Sequence, residues 1–208
     1  MTGRDGLLLL LCFLLGSVPF AYLITRLRGV GDIRTLGSGN VGATNVLRTQ
    51  GKVWGLVTLA LDFGKAALAV WLCRRFGSAP WLDAAGGACA VLGHCFPPWL
   101  RFRGGKGVAS GLGAFTFIAP IPTLIALGVF MLEVMTLRFI SLGSILAAVA
   151  FAVSIAAFHF YSGLYTPPHV LIAVLLCLLL IQRHHANIGR LLAGTEKRIW
   201  GQKKEAEP

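Results

Sequence analysis

Three short polar stretches carry the residues of this sequence that can do chemistry. In GSGNVGATNVLR, three glycines (Gly37, Gly39, Gly42) let backbone N–H groups converge, and Ser38, Asn40, Thr44 and Asn45 add side-chain donors. Such a composition makes an anion nest, and Arg48 behind it supplies a fixed, bidentate charge. In FRGGKGVASG, Gly104, Gly105 and Gly107 surround Lys106 just ahead of an apolar run. Free amides and a helix dipole then face an anion there too. Gly107 stands where a Walker A motif needs a hydroxyl residue, so ATP hydrolysis is not indicated. In RHHANIGRLLAGTE, a spacing of three sets His184 and Asn187 on one helical face, with Arg190 beside them and Glu196 closing the string.

Fewer candidates lie outside these stretches. Asp62 and Lys65 are three apart inside an apolar run, where each ion costs at least ~2.5 kcal/mol to insert, so they are either a structural pair or a substrate contact. TLRFISLGS offers Arg138, Ser141 and Ser144 for a polar pocket. His94, just before Pro97 and Pro98, reads as a helix-end histidine. The five cysteines have no metal-binding spacing and read as small buried hydrophobes.

The elements that must hold these loops are set by composition. Of 208 residues, 56% are hydrophobic and 13% charged, which excludes an ordinary soluble domain. Runs such as Leu7 to Ile24, Val53 to Cys73 and Val170 to Ile181 approach the ~20 residues of a spanning helix. The formal charge of +11 therefore reports topology and not nucleic-acid binding, because basic residues cluster between apolar runs. With Arg26 to Lys52 cytoplasmic, the amino terminus is outside and the first run is a retained helix. Pro120 and Pro122 break Val108 to Val134 into a short helix pair. Counting that pair as two passes leaves the basic tail inside, with fifteen of the nineteen Lys and Arg on the cytoplasmic face. The expectation is an all-α integral membrane protein of about seven transmembrane helices, one domain over 1–208, carboxy terminus cytoplasmic, and a disordered tail at 201–208.

Together the strings resemble the bacterial acyl-phosphate:glycerol-3-phosphate acyltransferases, the PlsY family, along nearly the whole chain. GSGNVGATNVLR, GHCFPPWLRFRGGKGVAS and RHHANIGRLLAGTE are similar to its three motifs in order, and DFGK at Asp62 and TLRFIS at Thr136 look like further signatures. Departures are small: Arg103 for a usual lysine, Ser110 for threonine, Ala66 for glycine.

The resemblance implies an enzyme of the bacterial cell membrane, its active site facing the cytoplasm. It would move a fatty acyl group from acyl phosphate to the 1-hydroxyl of glycerol 3-phosphate, giving lysophosphatidic acid and phosphate. It also implies supply by an acyl-phosphate-forming enzyme, a lipid bilayer as partner, and no cofactor or metal. The candidate catalytic residues are Ser38, Arg48, Lys106, His184 and Asn187. Gly37, Gly39, Asn40, Gly42, Thr44, Asn45, Lys65, Gly104, Gly105, Gly107, Ser141 and Glu196 are the candidates for substrate binding. Which loop holds which phosphate stays open, as does the base: the acceptor's own phosphate, or His184. Ser38 as an acyl-enzyme nucleophile ranks third. No histidine has an aspartate five positions on, so a carboxylate-oriented base is not indicated. The reading from another class is a small-anion carrier with a broken helix at Pro120 and Pro122; it predicts inverted repeats, and the sequence has none.

Overall fold

The computed structural model describes residues 2–199, so the tail expected to be disordered at 201–208 lies outside the described residues. These described residues form α-helices and two 3-10 turns, with no strand among them. Helix α1 (Gly3–Gly16) opens with a capping box: Asp5 N–H donates to the Thr2 hydroxyl while Thr2 N–H donates to the Asp5 carboxylate. Pro19 interrupts it, and α2 (Phe20–Leu27) carries the apolar run on to a combined 25 residues. Helices α4 (Lys52–Phe76) and α8 (Ile140–Ser162) are each long and apolar enough to cross a membrane alone. Helix α9 (Pro167–Gln182) qualifies together with α10 (His185–Leu192), to which it is bent by 53°. That makes three spans, or four with the bent pair.

Helices α5 (Leu82–Cys95), α6 (Val108–Ile118) and α7 (Pro120–Thr136) are shorter. The expected break falls at Ala119, ahead of Pro120 and not between the prolines. Pro120 and Pro122 sit in the first turn of α7, where a missing N–H leaves no hydrogen bond unmade.

Packing uses small residues, as it must where lipid and leucine are equally apolar. Helix α1 lies on α5, α4 on α5 and α6, α7 on α8, and α8 on α9. A Cβ on Gly93 would fall 2.2 Å from the Phe13 carbonyl, and one on Gly113 2.1 Å from the Phe63 carbonyl, so backbones touch at both crossings. Cys12, Cys73, Cys95 and Cys177 are buried in this core, as expected. Leucines such as Leu7, Leu124 and Leu171 face outward, which suits a lipid environment.

Polar networks occupy both ends of the bundle. At one end Asp5 accepts from Ser78 N–H and Oγ, and Asp83 binds Arg74 and His169, each at 3.0 Å. At the other end the three polar stretches converge.

Candidate active site

The first loop is built around one side chain. Asn45, in the first turn of α3 (Ala43–Gln50), is buried; its Oδ1 accepts from Ser38 N–H at 2.9 Å, and its Nδ2 donates to the carbonyls of Leu36 and Asn40 at 2.9 and 3.1 Å. Gly37 runs at φ 58°, and a Cβ there would lie 2.3 Å from Asn45 Oδ1, so only glycine fits over this staple. Ser38 is exposed above it, while Asn40 and Thr44 are half-buried beside the α3 amino terminus at Gly42. Asn45 was expected to offer a donor to a ligand; instead it faces inward and ties the loop.

The second loop leaves α5 at Pro97 and Pro98, makes a tight excursion, and returns with Gly104 N–H on the Cys95 carbonyl and Gly105 N–H on the His94 carbonyl, both at 3.1 Å. Arg183, at the end of α9, donates to the Gly104 and Gly105 carbonyls at 3.0 Å. Nothing in the sequence marked Arg183 for this task, because its acceptors are main-chain atoms of a distant loop. Gly107, at φ 84°, caps α6.

Lys106 projects from this loop and its Nζ donates to Asn187 Oδ1. Asn187 in turn donates from Nδ2 to Glu196 at 2.6 Å, and Glu196 also accepts from Ser141 Oγ and Arg190 Nε, each at 2.7 Å. Burial opposes the Glu196 charge, yet the hydrogen bonds from Ser141, Asn187 and Arg190 hold it below the usual carboxylate range. Both Glu196 oxygens, named above as a candidate substrate contact, are turned onto Ser141, Asn187 and Arg190. Arg48 is exposed at the rim and donates to the Lys197 carbonyl at 3.3 Å.

Two groups have displaced titrations. Burial first, then the charges of Arg190, Arg48 and Arg183, push the Lys106 ammonium down to about 8 against the pull of Glu196. Burial and the Lys106 charge push His184 down to about 4. Its Nδ1 lies 2.7 Å from the Leu180 carbonyl, which can only accept, so Nδ1 carries the hydrogen and Nε2 keeps its lone pair. Among the described residues His184 has no carboxylate partner.

The structure thus gathers Arg48, Lys106, Ser141, His184, Asn187 and Glu196 at one end, with the first loop alongside. Lys65 stands apart, buried and paired with Asp62 at 2.8 Å. What the arrangement offers is a set of cations and side-chain donors for anions, a neutral imidazole, and apolar helices beneath; the Gly104 and Gly105 amides, expected to face an anion, are spent on the Cys95 and His94 carbonyls.

Known proteins share this architecture. The family described as Glycerol-3-phosphate acyltransferase matches residues 6–194. A glycerol-3-phosphate acyltransferase of Synechococcus sp. (strain CC9902) is 46% identical, over 93% of this chain and 94% of that one. One of Laribacter hongkongensis (strain HLHK9) is 44% identical, over 94% and 96%. The crystal structure of PlsY (YgiH), described as an integral membrane glycerol 3-phosphate acyltransferase in its glycerol 3-phosphate form, superposes with a TM-score of 0.86 at 38% identity, covering 96% of each chain. Its lysphosphatidic acid form gives 0.83 at 37% identity, over 94% of this chain and 95% of that one.

Proposed function

The chain belongs to the glycerol-3-phosphate acyltransferase family, and from that premise we propose that its acyl donor is an acyl phosphate, consumed at the cytoplasmic face of the bacterial cell membrane. It is an acyltransferase of the PlsY type, and the carrier reading is set aside. In the proposed reaction the 1-hydroxyl oxygen of glycerol 3-phosphate attacks the acyl carbonyl carbon. The carbon–oxygen bond to phosphate breaks, and lysophosphatidic acid and phosphate leave. An enzyme that makes acyl phosphate must supply the donor.

The observation that carries this reading is the setting of His184: its Nδ1 is spent on a backbone carbonyl, and the nearby carboxylate, Glu196, is committed to Ser141, Asn187 and Arg190. An imidazole without a carboxylate is a weak base, which suits a mixed anhydride whose leaving group is already good. Catalysis then rests on positioning, charge stabilisation and exclusion of water. The first loop, with the amides of Gly37 and Gly42, the Ser38 hydroxyl and Asn40, grips the acyl phosphate; the Gly39 N–H, expected to join them, is spent on the Leu36 carbonyl at 2.9 Å. Arg48, Lys106, Ser141, His184 and Asn187 hold the acceptor's phosphate, which takes the hydroxyl proton. The seven-pass topology with the amino terminus outside, and a single catalytic unit over 1–208, complete the proposal.

Purified protein in lipid, given palmitoyl phosphate and glycerol 3-phosphate, should form lysophosphatidic acid and phosphate in equal amounts, and K106A should abolish both. Product with palmitoyl-CoA but none with palmitoyl phosphate would overturn the donor assignment.

A further inference from the structure

Lys65 lies inside α4 with 2% of its side chain exposed, far below the loops in sequence terms yet directly under one of them. We propose that Asp62, Lys65 and His94 are positioning residues that fix the second loop, and through it Lys106, against the acceptor's phosphate. The inference rests on the acyltransferase reading above and assigns these residues a task within it.

The Lys65 ammonium donates to the Val18 carbonyl at 2.9 Å and meets His94 Nδ1 at 3.1 Å, with the Phe20 ring 5.5 Å away. An ammonium only donates, so His94 Nδ1 accepts and the ring carries its hydrogen on Nε2. Asp62 Oδ1 sits 2.8 Å from Lys65 and 3.4 Å from His94 Nδ1, and no donor is aligned on either carboxylate oxygen. Charge alone holds it. The imidazole then presses its Nε2 edge on Gly105: a Cβ there would lie 2.1 Å from His94 Nε2 and 2.7 Å from the Val41 carbonyl. His94, the second loop and the first loop therefore meet at one glycine, next to Lys106. The main chain repeats the link, since Gly105 N–H donates to the His94 carbonyl. Ser110 Oγ donates to the Asp62 carbonyl at 3.1 Å, so the first turn of α6 is tied to the same place.

A buried ion pair is weak evidence for stability, because an apolar replacement is often as stable. Its presence in a membrane helix asks for another task, and the geometry supplies one. Lys65 sets the His94 ring, the ring sets Gly105, and Gly105 sets Lys106.

The test measures glycerol 3-phosphate binding by calorimetry, without donor, together with KM and kcat for the acyl transfer. The variants are K65M, the charge-neutral pair D62N/K65M, K106A, and D62N/K65M/K106A. Removing both charges together leaves no uncompensated ion, so D62N/K65M is the variant that keeps its fold. Its acceptor Kd and KM should rise ~10-fold or more, beyond any fall in kcat, and in the K106A background, where binding alone is read, the same pair of changes should add nothing to the Kd. Equal loss in both backgrounds, or unchanged acceptor binding by the folded pair variant, overturns the proposal. Should these variants not fold, nitrogen NMR of histidine-labelled wild type decides. The His94 signal, assigned by its loss in H94Q, must be that of an Nε2–H ring, and an Nδ1–H ring sinks the idea. Wild type that binds glycerol 3-phosphate but makes no product would fail the acyl-phosphate reading alone, because the binding comparison does not need turnover.

Discussion

At the scale of single residues, the two displaced titrations separate the base from the anion holder. His184 is uncharged down to about pH 4, whereas a phosphate monoester dianion takes up a proton near pH ~6. If the acceptor's phosphate receives the hydroxyl proton, kcat/KM should fall below about pH 6, and H184Q should keep that limb while binding weakens. A limb near 4 that vanishes in H184Q would make His184 the base. The alkaline side belongs to Lys106. Its pKa is lowered to about 8, so the cation is present below that value and lost as pH rises through it. We predict that kcat/KM for glycerol 3-phosphate falls above about pH 8, and that K106R moves this limb upward because a guanidinium stays charged. A limb unmoved in K106R would assign it to another group.

At the scale of elements, the loops depend on side chains that never meet substrate. Asn45→Ala would leave Ser38 N–H and the Asn40 carbonyl without their partner, while the Leu36 carbonyl keeps the Gly39 N–H. Orphaned groups of this kind cost about 2 kcal/mol. Thermal unfolding of N45A should show that loss together with a raised KM for the acyl phosphate. A stable N45A with unchanged kinetics would remove the staple from the account. These elements also mark what the sequence could and could not reveal. The break at Ala119 was legible because proline has a local, one-residue cause. The face shared by His184 and Asn187 was legible because helical spacing is local too. The inward turn of Asn45, the hold of Arg183 on Gly104 and Gly105, and the contact of Lys65 with His94 were not. Each depends on a main-chain or side-chain partner brought near by folding, and a polar residue in a Gly-rich string carries the same letter whether it faces a ligand or the loop itself.

At the scale of the whole molecule, the question is how often the chain crosses the bilayer, and α6 and α7 decide it. At about 1.5 Å per residue, the 11 residues of α6 reach about 16 Å and the 17 of α7 about 25 Å, both short of the ~30 Å hydrocarbon core. Joined end to end they would overshoot it. They also pack on different neighbours, α6 on α4 and α5, α7 on α8, as two separate passes would. Local thinning of the bilayer or a polar lining at one end lets short passes stand. With two passes, the turn at Ser78 and the strap at Thr195 lie on opposite sides of the membrane; with one, they share a side. Ser78→Cys and Thr195→Cys, each labelled with an impermeant maleimide in right-side-out vesicles, tell these apart. The background is low, since Cys12, Cys73, Cys95 and Cys177 are buried and Cys89 half-buried. Labelling of Ser78→Cys from outside, and of Thr195→Cys only after the vesicles are opened, supports seven passes. Labelling of both from outside would make α6 and α7 a single broken span and put Asn187 and Glu196 across the membrane from Lys106, which the Lys106–Asn187 hydrogen bond does not allow, so that result would overturn the shared site as well as the seven passes.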